Sequence, residues 1–170
     1  ALAHAARRDL ADRIARLVVM GGGIAKGNAT AHAELNIWVD PHAAGYVFGL
    51  GVPVVLAPLD VTEPLVVPAG AIASLAKSTA IPAQLVARLM PLAGEAGHPQ
   101  SIYDAATIAY LLWPDLFGCD DGTIAVDVTE GPRMGETRFE RSAGGPHRVL
   151  KSIDQPRFFD RLVATLAGSS

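Results

Sequence analysis

Cysteine is almost missing from this sequence: Cys119 stands alone in 170 residues. A lone thiol excludes an internal disulfide framework and a thiolate zinc cluster, so a reducing, cytoplasmic compartment is the expectation. Charge is scarce as well, at 18 % of residues, with a formal net charge of -3 and a pI near 5.9. That balance argues against non-specific nucleic-acid binding, which needs a basic face. Long hydrophobic runs are lacking, because Pro, Gly or a charge breaks each apolar stretch short of the roughly 18 residues of a membrane span. Nor do the first residues, ALAHAARRDLADRIARL, make a secretory signal, since their charges lie inside the segment and no separate apolar core follows. With Ala1 at the first position and no capping residue before it, an upstream portion of the chain is expected.

Apolar residues, by contrast, are abundant. They make up 50 % of the sequence, and the mean hydropathy is +0.29, more than one domain of this length needs for its core. The excess points to surfaces covered by protein and to a homo-oligomer, dimer or tetramer.

Helical and strand patterns alternate along the chain. Residues 3 to 15 place Ala, Leu and Ile at helical spacing with Arg7, Arg8, Asp12 and Arg13 between them. Leu17 to Met20 reads as a short buried strand closed by Gly21, Gly22 and Gly23. Asp40 and Pro41 have the chemistry of a helix cap and first turn, for a helix through Phe48 that stops at Gly49. Pro53 to Ala57 is the next strand, closing on Pro58-Leu59-Asp60-Val61-Thr62. Two helical pieces from Pro68 to Met90, split near Thr79 to Pro82, precede a connection from Pro91 to Gln100 and a helix from about Tyr103 to Trp113. A strand from Thr123 to Thr129, a turn at Gly131-Pro132, a strand from Arg148 to Ile153 and a helix from Pro156 to Ala167 complete the pattern. It predicts an α/β fold: an open, mostly parallel Rossmann-like sheet flanked by helices, with ligands at the carboxyl ends of its strands.

The segment from Gly21 to Pro41 carries the most chemistry. A dinucleotide fingerprint begun at Gly21 puts its third glycine on Lys26, and a Walker loop needs the lysine after Gly27 instead of before it, so both nucleotide patterns fail. The glycines either turn the backbone off the strand or cradle an anion. Asn28, Glu34 and Asn36 offer amide and carboxylate groups that together can satisfy the vicinal hydroxyls of a sugar, and the same residue types also serve turns and caps. Asp104, behind Tyr103 at a helix start, either complements the helix dipole or is one oxygen ligand of a hard cation such as Ca2+. Among the histidines, His32 and His98 are candidates for rim contacts, whereas His4, His42 and His147 sit in segments that read as peripheral.

At this point the residues match a family. The runs VVMGGGIAKGNATAHAELNIWVDP, VPVVLAPLDVT and YDAATIAYLLWPDLF, with the VDV of Val126 to Val128, resemble in order the carboxyl-terminal half of nucleoside hydrolases of the inosine-uridine preferring type. Residues 1–170 would then be the carboxyl-terminal part of a single nucleoside hydrolase-like domain. The resemblance implies hydrolysis of the N-glycosidic bond of a ribonucleoside to free base and ribose, in nucleoside salvage and purine metabolism. It implies that Asn28 and Glu34 hold the ribose 5′-hydroxyl, that Asn36 acts catalytically near the ring oxygen and 2′-hydroxyl, that Met20 packs against the sugar, and that Asp104 is a calcium ligand.

Two departures qualify it. The family's DxDxGxDD pattern, which supplies most metal ligands and the general base, is absent, so this chain alone is expected to be inactive. Tyr103 stands where many members have a histidine that protonates the leaving base. A phenol, with an ordinary pKa of about 10, is a poor donor near neutrality, and stacking on the base with a purine bias is the expectation. Glu63 also stands where members often have histidine. The competing readings are a catalytically inactive ribose- or nucleoside-binding homologue and a structural α/β subunit.

Overall fold

The computed structural model describes residues 1, 8–93 and 100–168. Five strands form an open sheet in the order β1 (Leu17–Met20), β2 (Val54–Ala57), β5 (His147–Ile153), β3 (Phe117–Val126), β4 (Thr137–Arg141). β1, β2 and β5 pair in parallel, and β3 joins β5 and β4 antiparallel, which makes the sheet mixed. Helices α1 (Leu35–Val39), α2 (Pro41–Phe48), α3 (Leu59–Thr62), α4 (Ala69–Lys77), α5 (Ile81–Ala93), α6 (Ala105–Leu112) and α7 (Gln155–Ala167) flank it.

β2 shows why these residues make a sheet with two covered faces. All four of its residues are buried, and successive side chains point to opposite faces. Val54 and Leu56 pack with Ile37, Phe48, Ile124 and Val149, whereas Val55 and Ala57 pack with Leu65, Tyr110, Leu150 and Phe158. A continuous apolar run is what a strand buried on both sides requires.

The sheet departs from the sequence pattern at β3 and β4. β3 begins at Phe117, well before the expected Thr123, and ends at Val126. Its FGCDDG start has turn composition, but Asp121 lies opposite Arg148 of β5 and accepts from its Nε at 2.7 Å, and Asp120 pairs with Arg141 of β4 at 3.1 Å. Cross-strand ion pairs thus hold residues of low strand propensity in the ladder. β4, TRFER, has the charged surface of an edge strand and little apolar signal.

Two helix boundaries also shift. Of the expected amino-terminal helix, residues 2–7 lie outside the described residues, and Arg8–Arg13 forms a 3-10 turn. The chain must straighten there, since Leu17 N–H already bonds Pro53 O. α5 runs through Pro91 to Ala93; a helix can carry a proline by forgoing one hydrogen bond. No described helix is long and apolar enough to cross a membrane.

His147, which the sequence places at the periphery, is buried at 4 % exposure. Its Nδ1 accepts from Ile124 N–H at 2.8 Å, which leaves the Nε2 proton to donate to Phe48 O at 3.0 Å. One neutral ring therefore joins β5, β3 and the end of α2. Replacing His147→Ala leaves a cavity and two unpaired backbone groups, and an equilibrium unfolding midpoint is expected to report a loss of about 2–4 kcal/mol.

The peripheral ion pairs predict a pH dependence. Arg148 holds the Asp121 carboxyl below the ordinary range, and Arg161, with Arg157, does the same for Asp115. A carboxyl with a lowered folded pKa contributes stability above its unfolded value of about 4 and loses it as pH falls through the folded value. Urea midpoints should therefore fall between about pH 5 and 2, more steeply at low salt because these groups are exposed. An acid branch insensitive to salt would rule the pairs out as its source.

Candidate functional site

The carboxyl end of β1 opens into a loop tied down by both backbone carbonyl and side-chain oxygens. Gly21 N–H continues the ladder to Ala57 O at 3.3 Å, and Gly22 O accepts from Leu59 N–H at 2.8 Å, fixing the loop to the start of α3. Asp60 of α3 accepts from Ile24 N–H at 2.7 Å and from Ala25 N–H at 2.8 Å. Further on, the Thr30 hydroxyl accepts from His32 and Ala33 N–H, and Ala33 O gathers the N–H groups of Asn28, Ala29 and Thr30.

Glu34 closes the loop. It is 2 % exposed and caps α1: Oε1 accepts from Asn36 N–H at 3.0 Å, and Oε2 accepts from Ile37 N–H at 3.3 Å and from Gly22 N–H at 2.8 Å. Asn28 Oδ1 accepts from Leu35 N–H at 2.9 Å, and Asn36 Nδ2 donates to Met20 Sδ at 3.3 Å. The sequence places Glu34 and Asn36 in a polar loop with turn or cap roles open. Glu34 takes the cap role, and Asn36 lies in the first turn of a helix only five residues long. Such a helix is too short to show helical periodicity.

α6 completes the site from the other side. Val67 N–H bonds Gln100 O, Ile102 N–H bonds Leu65 O, and the Ser101 hydroxyl bonds Glu63 O at 2.6 Å, so Tyr103 and Asp104 are delivered beside the loop. Asp104 is exposed and occupies the α6 cap position without a side-chain capping bond. Its carboxylate is thus not consumed by the helix terminus.

Met20, Asn28, Glu34, Asn36, Tyr103 and Asp104, together with Leu35, line one cleft of about 280 Å³. All six residues singled out from the sequence meet there, although they come from separate parts of the chain. Leu35 was missed, since an apolar residue in a polar loop carries no chemical signal. Asp60 was missed as the strap of the loop; its position just past the end of β2, level with the glycines on β1, is the signal that could have found it. His32 is not among the cleft residues, and His98 lies outside the described residues.

Electrostatically the cleft favours hydroxyls over phosphate. The amides of Gly22, Ile24 and Ala25, which a phosphate would need, are occupied by the protein's own carboxylates. Lys26, the nearby cation, is ion-paired with Glu63, whose hydrogen bond raises the lysine pKa. In the inventory of remaining valences, Asn28 keeps its amide donors, Asn36 its carbonyl oxygen, and Glu34 one of about four acceptor positions. The described residues contain no group of three or more His, Cys, Asp or Glu able to hold a metal ion.

Solved nucleoside hydrolases superpose on this sheet and its flanking helices. The chain is similar to a purine-preferring ribonucleoside hydrolase from Gardnerella vaginalis, with a TM-score of 0.86 and 26 % identity over 98 % of this chain and 56 % of that one. The fold also matches an inosine-uridine preferring nucleoside hydrolase from Bacillus anthracis, at a TM-score of 0.82 and 23 % identity over 99 % of this chain and 56 % of that one. In sequence it is 36 % identical to a pyrimidine-specific ribonucleoside hydrolase of Shewanella oneidensis, over 98 % of this chain and 56 % of the relative. Residues 1–160 match the model of the family described as inosine-uridine preferring nucleoside hydrolase, and the chain belongs to that family. It spans about 56 % of the length of the curated relatives it matches.

The Glu34 carboxylate is an acceptor only, and three N–H groups converge on it. Glu34→Gln turns an amide group onto at least one of them, and thermal unfolding is expected to show a loss of about 1.5–3 kcal/mol. A wild-type melting temperature in this variant would contradict the capping role.

Proposed function

We propose that the protein containing this chain hydrolyses the N-glycosidic bond of a ribonucleoside, releasing base and ribose. The observation that carries the reading is the convergence of Met20, Asn28, Glu34, Asn36, Tyr103 and Asp104 on one cleft with acceptor groups left over. Bond cleavage develops positive charge on the ribosyl ring, and groups whose interaction strengthens with that charge lower the barrier. The Asn36 carbonyl oxygen, held by the Asn36 amide bond to Met20 Sδ, is the group to meet that charge. Asn28, through its amide, and Glu34, through its remaining acceptor position, hold the 5′-hydroxyl, and Met20 packs on the sugar.

Calcium enters this reading through Asp104 alone. The ion takes about six to eight oxygens, and the described residues hold no group of three or more His, Cys, Asp or Glu that could bind it; Asp104 would supply one oxygen and residues outside the described ones the others. The same holds for the domain. β1 pairs only with β2 among the described residues, yet it is apolar and flanked by exposed Leu35 and Val39 of α1 and exposed Ile108, Leu111 and Leu112 of α6. An edge without lysine, proline or bulge is adapted to being covered, which supports reading the chain as part of a single larger domain, inactive by itself. The apolar surface also supports a homo-oligomer.

Tyr103 supplies a stacking surface for the base, and a purine offers it the larger ring system. The curated relatives favour the opposite preference, because the Shewanella proteins at 35 to 36 % identity are named pyrimidine-specific. Relative kcat/KM on inosine and uridine with the full-length protein decides between them, and faster uridine turnover would sink the stacking argument.

The same assay tests the reaction. Base release by the full-length protein is expected, lost on chelation and reduced about a hundredfold or more by Asn36→Ala. A silent binding homologue would instead show ribose binding without turnover, and a structural subunit would show neither. Activity that survives the chelator would overturn the role of Asp104.

A further inference from the structure

Thr137, the first residue of β4, has no part in the cleft lining, yet it is 2 % exposed and its hydroxyl finds no hydrogen-bond partner among the described residues. A buried, unpaired hydroxyl is unfavourable, so hydrogen bonding does not explain its placement. Its shape does. Thr137 packs directly on Gly22: a Cβ on Gly22 would lie 2.8 Å from Oγ1, 3.1 Å from Cγ2 and 3.2 Å from Cβ of Thr137. Gly22 also has φ +70°, a conformation that only glycine adopts without strain. Its N–H is the one that donates to Glu34 Oε2.

The same hairpin grips the loop again nearby. Ala33 and Glu136 form an antiparallel bridge, and Gly135 approaches so closely that a Cβ there would meet Ala33 Cβ at 3.1 Å and Trp38 Cα at 3.2 Å. The turn behind it is braced by Gly135 N–H to Asp127 O at 2.7 Å, and by Arg138 reaching both Asp127 and Glu136. A β-branched side chain on such a support has almost no freedom to yield.

We propose that Thr137 is a positioning residue: packed on Gly22, it sets the Gly22 N–H against Glu34 and so couples the β3–β4 hairpin to the ribose-facing loop. The proposal rests on the reading of the cleft as a ribose site. It assigns Thr137 a role by shape, with its hydroxyl dispensable.

The test uses the full-length protein, three single variants and one double variant. Thr137→Ala empties the space behind Gly22, and the Gly22 amide is expected to exchange with solvent at least about tenfold faster while β2 amides hold. The inhibition constant for free ribose and the KM should rise by roughly tenfold or more, with a smaller change in kcat, because the loop is displaced from its ligand. Thr137→Val keeps the shape and should match wild type in all three. Gly22→Ala attacks the contact from the other side; it should weaken ribose binding and be partly rescued by adding Thr137→Ala. Wild-type Gly22 exchange and ribose inhibition in Thr137→Ala would overturn the proposal, as would equal damage from Thr137→Val. A wild-type protein that binds no ribose removes the functional reading instead, and Gly22 exchange still decides the joint. If Thr137→Ala does not fold, the binding and exchange of Gly22→Ala decide it, and wild-type values there would overturn it.

Discussion

The Glu34 carboxylate is the point on which the cleft depends. Three backbone N–H groups, from Gly22, Asn36 and Ile37, end on its two oxygens in a nearly solvent-free position. Hydrogen bonds to an ionised acceptor are the strong kind, each worth about 1.5–3 kcal/mol. Two of these bonds start α1 and the third reaches back to Gly22, two residues past the end of β1. One side chain therefore fixes the distance between a strand terminus and a helix terminus. Asn28 and Asn36 inherit their positions from it, Asn28 because it bonds Leu35 N–H and Asn36 because it sits in the capped turn.

The sheet beneath keeps that point from drifting. β2 is buried on both faces and lies between β1 and β5, so its carboxyl end is the rigid neighbour to which Gly21 attaches, with Gly22 held at the start of the helix that follows it. Apolar burial is non-directional and would tolerate sliding. The directional interactions, His147 between β3 and α2 and the Asp121–Arg148 pair between β3 and β5, set the register. Polar groups define this fold at the places where apolar ones only hold it together.

Most elements were legible because their signals are local. β1, β2, β5, α2 and α7 each combine an apolar period with Gly, Pro or Asp punctuation, and the polar residues after β1 and before α6 that stood out in the sequence lie together in one cleft. What stayed hidden depends on partners distant in sequence. The acidic start of β3 is a strand only because arginines stand on both neighbouring strands. His147 is a core residue only because Phe48 O and Ile124 N–H converge on it. Thr137 has no chemical signature at all, since its role lies in the contour it presents to Gly22. The capping role of Glu34 was half visible: the residue type suits a cap, but five residues of α1 are too few to announce a helix.

The glycine-rich loop shows how one motif can be read two ways and still have a single physical account. Its amides do receive anions, as a phosphate cradle would, but the anions are Glu34 and Asp60. Binding internal carboxylates leaves fewer loop amides for external anions, and Glu34 brings one of these acceptors to the cleft. A neutral, hydroxyl-rich ligand can donate to such acceptors, while an incoming phosphate would meet negative charge and find the Gly22, Ile24 and Ala25 N–H groups already bonded. The same arrangement suits a ligand that becomes more positive during reaction, because fixed acceptors need not reorganise as the charge appears. On the proposed reading, selection of a sugar and stabilisation of its charged form both follow from loop amides bonded to the chain's own side chains.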